Sequence, residues 1–361
     1  MHVTVPPRPR RAFRRRSLES WALLGSAGLL LAGTVLPAPF VVEAPGPTFN
    51  TVGEHDGQQL LAVSGEPSYP SESVLDLTTV YVSGGPNSDV NVLRVLGAWL
   101  DPAAAVLPAD ALYPHDVSAE DVDEYNATAM TSSQDNSVAA ALTHLDRDFT
   151  VELVVQGTLP GGPAEGQLEH GDVLRGVDGT PIVSLARLRA ALDAAGERGV
   201  TLQVERAGAE RDVAVDTVRD ETSGSWQLGV LLVPSYEFPV DVDFELHEVG
   251  GPSAGLMFAL GVVDELTPGS LAGDRHVAGT GTITPDGEVG PIGGIRQKLQ
   301  GAADAGAQLF LAPEDNCAEV RGHVPDGLTV VSVGTLDDAV AAAEAAGRGE
   351  DLTVLPGCDT R

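Results

Sequence analysis

The sequence predicts an α+β protein in which a transmembrane helix precedes two folded domains. The first supporting observation is an uncharged run over residues 20–42 that follows an arginine-rich start. The second is a compact series of short strands, glycine turns and one helix over 148–218, typical of a small β-barrel-like domain with helices. The third is a strand, turn and buried-helix pattern within 219–346, which predicts an α+β domain.

The composition supports folded domains and argues against a nucleic-acid partner. Hydrophobic residues make up 43% of the chain and aromatic residues 4%, so we expect aliphatic cores. The net charge is −31, although six of the 21 basic residues lie within the first 16 positions. An acidic surface repels nucleic acid and anionic lipid, and by itself indicates a solvated, soluble face.

The N-terminal segment predicts a membrane protein. Residues 1–19 form a basic tail, and residues 20–42 are about as long as a membrane-spanning helix requires. The basic cluster predicts a cytoplasmic N-terminus with the rest of the chain outside the cell membrane, in a single-pass arrangement. A cleaved signal peptide is the alternative, because Ala38 and Ala44 offer small residues for cleavage. The following extracytoplasmic region, 43–147, is either a separate domain or part of the C-terminal fold.

Residues 148–218 carry a specific order of turns after the predicted strand Thr150–Val155. The turns and the helix are, in order, Gly161-Gly162-Pro163-Ala164-Glu165-Gly166, Gly171-Asp172-Val173-Leu174, Val177-Asp178-Gly179 and Ser184–Ala195. This order resembles a PDZ domain of bacterial proteases, which implies a groove that takes an extended peptide or C-terminus. Leu228-Gly229-Val230 looks like a carboxylate-binding loop but follows the module, so its groove residues stay unassigned. A simple spacer is the alternative.

Lys298 is the only lysine in the 361 residues, and every other basic side chain is arginine. A guanidinium stays charged in proteins, whereas a buried ammonium can be pushed to neutrality. A single lysine therefore indicates a role that requires the loss of a proton. It lies in the first turns of a predicted helix after Pro291-Ile292-Gly293-Gly294, where the positive helix end lowers the amine pKa. An ordinary surface lysine is the alternative.

Ser253 follows the tight turn Gly250-Gly251-Pro252 and precedes a predicted buried helix, Ala254–Glu265. Pro252 suits the first turn of a helix, where its missing N–H is not needed. We expect the amides of Gly251 and Ser253 to form an oxyanion hole, assisted by the helix dipole. Ser253 is therefore a candidate nucleophile with Lys298 as its general base. On the turn alone, a helix-capping serine is the more ordinary interpretation.

The C-terminal motifs look like the proteolytic domain of Lon-type serine peptidases. They are the Gly-Pro-Ser-Ala-Gly turn, Thr280-Gly281, the Pro-Ile-Gly-Gly-Ile-x-x-Lys segment and Ala312–Asn316. With the anchor and the PDZ module, the order is similar to the membrane-anchored bacterial PDZ–Lon (YlbL-like) proteases. The resemblance implies Ser253 as nucleophile, Lys298 as general base and Thr280 as the residue that orients the lysine. Asn316 matches a structural position.

The resemblance implies an ATP-independent endopeptidase that cleaves extracytoplasmic or membrane-proximal proteins, with the PDZ domain recruiting or gating substrate. A Walker A motif needs Lys followed by Ser or Thr, whereas Lys298 is followed by Leu299. We expect no cofactor and no metal, and the resemblance makes a homo-oligomer a further expectation. Many ATP-dependent Lon enzymes have Asp where Gly250 stands, which puts an acidic site member in doubt; Glu248 is the nearest acid.

Two other functions stay open at this point. Gly251–Gly255 fits the Gly-x-Ser-x-Gly pattern of Ser-His-Asp hydrolases, and His276 and His323 are the histidines that follow it. That interpretation leaves Lys298 unexplained. The other function is a catalytically inactive, membrane-tethered PDZ adaptor.

The two cysteines, Cys317 and Cys358, lie near the end of the chain. If this region lies outside the cytoplasm, we expect a disulfide that pins the predicted tail, 347–361, to the last domain. Two unpaired thiols are the alternative.

Overall fold

A computed structural model describes residues 18–55, 57–114, 117–182, 185–221, 223–246 and 249–358. Most of the predicted basic tail (1–17), the predicted helix-capping Ser184 and the acidic candidate Glu248 lie outside the described residues. Two six-stranded sheets, here called the first and the second sheet, organise the described part of the chain.

The elements that precede the second sheet are α1 (Leu18–Val35), β1 (Phe40–Asn50), β2 (Glu54–His55), β3 (Gln58–Gln59), β4 (Leu61–Ser64), β5 (Val74–Ser83), α2 (Val92–Leu100), β6 (Ala105–Pro108), α3 (Ala109–Leu112) and α4 (Ala119–His144). The next group is β7 (Thr150–Thr158), β8 (Val173–Val177), β9 (Thr180–Pro181), α5 (Leu185–Ala195), β10 (Val200–Arg206), β11 (Ala209–Val215), β12 (Val218–Arg219), β13 (Trp226–Gln227) and β14 (Val230–Glu237). The last group is β15 (Asp241–Phe244), α6 (Gly255–Leu266), β16 (His276–Gly279), β17 (Thr282–Ile283), β18 (Val289–Gly290), α7 (Ile295–Asp304), β19 (Leu309–Pro313), α8 (Cys317–Val320), β20 (Thr329–Val333) and α9 (Leu336–Gly347).

The first sheet combines strands from the N-terminal and the C-terminal parts of the chain, in the order β20-β19-β16-β5-β1-β6. Val74–Leu77 of β5 pair in parallel with His276–Gly279 of β16, and β1 pairs antiparallel with β5. Because β1, β5 and β6 are strands of this sheet, the region predicted over 43–147 shares one fold with the C-terminal domain. Leu75 and Leu77 on one face of β5 and Asp76 on the other are all buried, as expected for a strand covered on both faces.

Helix α6 forms the centre of the core beside the first sheet. All of its residues are buried, and the side chains of Met257, Phe258 and Leu260 have no exposed surface. A helix that is apolar on every side is stable only when neighbours surround it. Helices α4 and α9 and the sheet provide that cover, so the residue before α6 is held on a rigid element.

The N-terminal helix differs from the predicted span of 20–42. Helix α1 ends at Val35, and Phe40–Val42 pair with β6 as the start of β1. The reason is local, because Pro37 and Pro39 favour an extended backbone and cannot continue a helix. Among the described residues, none of the helices combines the length and the apolar character that crossing a membrane requires.

The second sheet has the order β11-β10-β8-β7-β14, with β9 beside β8. Helix α5 lies over it and contributes Leu188 and Leu192 to its core. The sheet extends beyond the predicted end of the module at 218, because Val230–Glu237 pair with Thr150–Thr158. Strand β14 alternates between half-buried and exposed residues, the pattern of an edge strand with one face on a core.

Candidate active site

The turn before α6 presents Ser253 at the start of that helix. Ala254 occupies the capping position of α6, and no side chain caps it, so Ser253 does not act as an N-cap. Gly251 has a φ of +87°, a conformation that favours glycine. The hydroxyl of Ser253 therefore points away from the helix end and is available for other partners, one of which is described below.

Helix α4 holds this turn from the opposite side. The Gly251 amide donates to the carbonyl oxygen of Asn126 at 3.0 Å, and the Ser133 hydroxyl donates to the carbonyl of Pro252 at 3.0 Å. A side chain at Gly250 would clash, because its Cβ would lie 2.8 Å from the Cβ of Asn126. In this structure the Gly251 amide is therefore not free to donate to an oxyanion, contrary to the expectation from the sequence. Its N–H is already used by Asn126.

Lys298 reaches Ser253 from α7. Its Nζ lies 2.7 Å from Ser253 Oγ and 2.8 Å from Thr280 Oγ1. The lysine side chain is 3% exposed and Thr280 is fully buried. Helix α7 begins after Gly294, whose φ of +69° turns the chain into the helix. The structure thus brings together the three side chains that the sequence singled out.

Thr280 fixes the direction of the hydrogen bonds around the amine. Its hydroxyl donates to the Ser253 carbonyl oxygen at 2.9 Å, so its own oxygen accepts an N–H from Lys298. A neutral amine has one lone pair. With an N–H committed to Thr280, that lone pair can face Ser253 Oγ. The arrangement suits proton transfer from serine to lysine.

Burial lowers the pKa of Lys298 from 10.5 to about 7. Desolvation of the ammonium is the cause, as expected from the sequence for a buried lysine. Within the described residues, no carboxylate bonds to the amine. A general base with a pKa near neutrality is half deprotonated at physiological pH, which is the range that acid–base catalysis needs.

The histidines that could form a Ser-His-Asp site lie elsewhere. His276 Nε2 lies 2.8 Å from Asp76 Oδ2, and His323 Nδ1 contacts the carbonyl of Arg321. Neither histidine bonds to Ser253 in the described part of the chain. The geometry therefore favours Lys298 over a histidine as the base.

Asn316 fixes the segment that leads to Lys298. Its Oδ1 accepts from the Ile292 amide and its Nδ2 donates to the Ile292 carbonyl, both at 2.9 Å. The next residue, Cys317, forms a disulfide with Cys358. The tail of the chain is thereby tied to the loop before α7.

Ser253 and Lys298 open into a cleft of about 520 Å³. Its walls are the second half of β5, the first half of α4 and the glycine turns before α6 and α7. Strand β16 pairs with β5 only as far as Gly279, opposite Leu77. From Thr78 to Val82, the β5 edge on that side has no strand partner among the described residues.

Sequence reasoning missed the positioning residues on α4. Asn126 acts through its backbone carbonyl, which no side-chain pattern reveals. Ser133 is a polar residue in the middle of a helix whose start is marked in the sequence by the capping pair Ser118 and Asp121.

Comparison with known proteins identifies two domains. Residues 248–345 match the Lon protease (S16) C-terminal proteolytic domain, and residues 130–205 match the PDZ domain. The Lon protease of Geobacter metallireducens is 31% identical over 194 residues, which are 50% of this chain and 23% of that protein. Lon protease 1 of Bacillus subtilis is 34% identical over 137 residues, 36% of this chain and 17% of that protein.

A solved PDZ domain of an SdrC-like protein from Listeria innocua is 17% identical and covers 22% of this chain and 92% of its own. Its TM-score of 0.21 is too low to support an argument about the fold. This chain spans less than a quarter of the length of these two Lon relatives. It contains a Lon-type proteolytic domain, the domain of a serine peptidase, together with a PDZ domain.

Proposed function

We propose that the protein is an ATP-independent serine endopeptidase in which Ser253 and Lys298 form the catalytic dyad. The observation that carries the proposal is the 2.7 Å contact between Lys298 Nζ and Ser253 Oγ in a buried setting. A lysine that is buried without a carboxylate is a poor structural choice, because its desolvation costs free energy. The same burial favours the neutral amine, which can then act as a base toward the Ser253 hydroxyl.

In the proposed reaction, neutral Lys298 takes the proton of Ser253 as its oxygen attacks a peptide carbonyl. The Ser253 amide, which donates to no group in the described residues, lies at the positive end of α6 and stabilises the oxyanion. Lys298 then gives the proton to the leaving amine, and the acyl-enzyme forms. Lys298 next takes a proton from a water that attacks the acyl ester, and returns this proton to Ser253 Oγ as the ester bond breaks and the product acid leaves.

We propose that the substrate lies extended along the free edge of β5. A peptide beside Thr78–Val82 can pair with the backbone groups that β16 leaves open, as in strand addition. This mode requires an unfolded or flexible segment. It fits a peptidase without an ATP-driven unfolding motor, because the only lysine of the chain cannot complete a Walker A motif.

We propose a location at the cell membrane, with the basic tail in the cytoplasm and both domains outside. The arginine-rich start, the exposed apolar side chains of α1 and the Cys317–Cys358 disulfide support it. Fractionation of cells with a C-terminally tagged chain tests this. The tag should stay with membranes and be accessible from outside, and a tag found only in the cytosol would contradict the location.

The PDZ domain has the proposed role of recruiting or gating protein substrates. The edge strand β14 is available for peptide pairing, and Leu231 and Val233 are exposed on it. A homo-oligomer belongs to the same proposal by resemblance, and light scattering of the full chain tests it.

Cleavage of unfolded casein without ATP tests the peptidase proposal. Ser253→Ala and Lys298→Arg should each lose at least about a hundredfold in rate, because Arg cannot act as a neutral base. Arg296→Lys exchanges one basic residue for the other at an exposed position on the same helix and should keep the wild-type rate. Normal cleavage by Lys298→Arg would refute the dyad.

A further inference from the structure

Glu43 on β1 is the one carboxylate among the described residues that line the catalytic cleft. Its side chain is half-buried, and no described residue gives it a hydrogen bond or an ion pair. Removing an unpaired charge from water costs free energy. An unpaired carboxylate in a substrate cleft therefore points to a cationic group that arrives with the substrate.

Glu43 lies at an acidic and aromatic end of the cleft. Burial, and then the nearby carboxylate of Glu319, raise the pKa of Glu43 above its usual range. Burial, and then the charge of Glu43, raise the pKa of Tyr113, which also lines the cleft. Cations are attracted both to carboxylates and to the faces of aromatic rings. The chemistry of this end of the cleft fits a lysine or arginine side chain.

The register of the sheet sets the distance from this group to the catalytic centre. Glu43 lies opposite Val82 of β5, so both side chains are on the same face. At the other end, the Thr78 hydroxyl donates to the carbonyl of Gly279, next to Thr280. Four residues separate Thr78 from Val82, which is about 13 Å at roughly 3.3 Å per residue. A peptide extended beside β5 advances at the same rate.

We propose that Glu43, assisted by Tyr113, is a specificity-determining residue that selects a lysine or arginine about four residues from the scissile bond. The inference rests on the proposed peptidase function and adds a substrate preference to it. Glu43 is distinct from the acidic site member that Gly250 leaves open, because the hydrogen-bond partners of the Lys298 amine are Ser253 and Thr280.

The test uses the full chain and extended peptides with one cleavage site. The peptides are compared in pairs that differ at one position, which holds norleucine in one peptide and lysine in the other. This position is varied from three to five residues from the scissile bond, on both sides of it. The ratio of kcat/KM between the two peptides is measured for the wild type, Glu43→Gln, Glu43→Lys and the control Glu54→Gln, an exposed acid outside the cleft. Binding of the same peptides to Ser253→Ala, with and without Glu43→Gln, is followed by fluorescence anisotropy.

We expect the wild type and Glu54→Gln to prefer lysine by about tenfold at one position, the ratio that one charged hydrogen bond supplies. The ratio should fall to about one in Glu43→Gln, and to below one in Glu43→Lys, where the new positive charge repels the lysine peptide. Because each ratio compares two peptides on one sample, a partly unfolded variant does not distort it.

A wild type without the preference, or a preference that survives Glu43→Gln, overturns the inference. Binding to Ser253→Ala that shows the Glu43-dependent preference, with no cleavage by the wild type, would support the subsite and refute the peptidase. The experiment therefore distinguishes a failure of the subsite proposal from a failure of the peptidase proposal.

Discussion

Lys298 differs from Arg206, a partly buried basic residue, in what surrounds its charge. Arg206 places its guanidinium against the buried carboxylate of Asp172 at 2.6–2.7 Å, so its charge is compensated. Lys298 has only the hydroxyls of Ser253 and Thr280 as side-chain partners in the described residues. Without a countercharge, burial drives the amine toward neutrality, and the one residue type that can lose its proton stands at that position.

The Thr280 hydroxyl is expected to position the Lys298 amine for proton transfer from Ser253. In Thr280→Val the hydroxyl is lost at constant shape, so the lone pair of Lys298 loses its fixed direction. We predict a fall in kcat of about 10- to 100-fold with little change in KM, within the range of general-base effects. Thr280→Ser keeps the hydroxyl and should retain most activity. Equal losses in both variants would mean that packing, and not the hydrogen bond, is what matters.

Among the secondary-structure elements, α4 contributes most to the geometry of the nucleophile. The carbonyl of Asn126 on α4 accepts a hydrogen bond from the Gly251 amide, and the hydroxyl of Ser133 on α4 donates one to the Pro252 carbonyl. Both contacts fix the turn on which Ser253 lies, and α6 fixes it from the other end. A rigid site of this kind needs no rearrangement before the chemical step.

Ser133→Ala should weaken both stability and catalysis, because it leaves the Pro252 carbonyl without its partner. We predict a loss of about 1–3 kcal/mol in unfolding free energy and a several-fold lower kcat/KM. Ser132→Ala is the matched control, since Ser132 is exposed on the same helix. Denaturant unfolding and peptide cleavage measure the two effects. Identical behaviour of the two variants would argue against the proposal that α4 holds the turn on which Ser253 lies.

Some elements were predictable from the sequence because local patterns determine them. The glycine turn, the buried helix α6 and the lysine on α7 follow from residue order alone. The residue types of 276–284 indicate one continuous strand, but the structure has two, β16 and β17, because the Gly281 amide bonds the Ser253 carbonyl at 2.9 Å. That break depends on a distant residue. Strands β5 and β16 are far apart in the sequence and yet pair in one sheet. The hydrophobic periodicity of each segment cannot predict which strand it pairs with.

At the scale of the whole molecule, the second sheet is inserted between two elements of the catalytic fold. The chain enters it from the end of α4 and leaves it at β15. The Tyr236 hydroxyl on β14 donates to Asn136 Oδ1 on α4 at 3.1 Å. Asn136 lies one turn beyond Ser133 on the same helix. A ligand bound on β14 would therefore lie close to α4, the helix that holds the turn on which Ser253 lies.

The Cys317–Cys358 disulfide should supply a large share of the stability of the C-terminal part. It closes a loop with a sequence separation of 41, for which chain entropy predicts about 4 kcal/mol. Denaturant unfolding of the wild type with and without reductant measures this. A double variant, Cys317→Ser with Cys358→Ser, should unfold like the reduced wild type and ignore the reductant. An unchanged midpoint on reduction would contradict the prediction.

The pKa of Lys298 is the most direct test of the catalytic assignment, and the sequence makes it accessible. Because the chain has one lysine, protein labelled with carbon-13 at lysine Cε gives a single resonance to follow with pH. We predict a pKa of about 7, with the cleavage rate falling below that pH as the amine gains a proton and can no longer accept one from Ser253. A lysine that titrates near 10.5, its ordinary value, in a protein that still cleaves peptides at neutral pH would contradict the account.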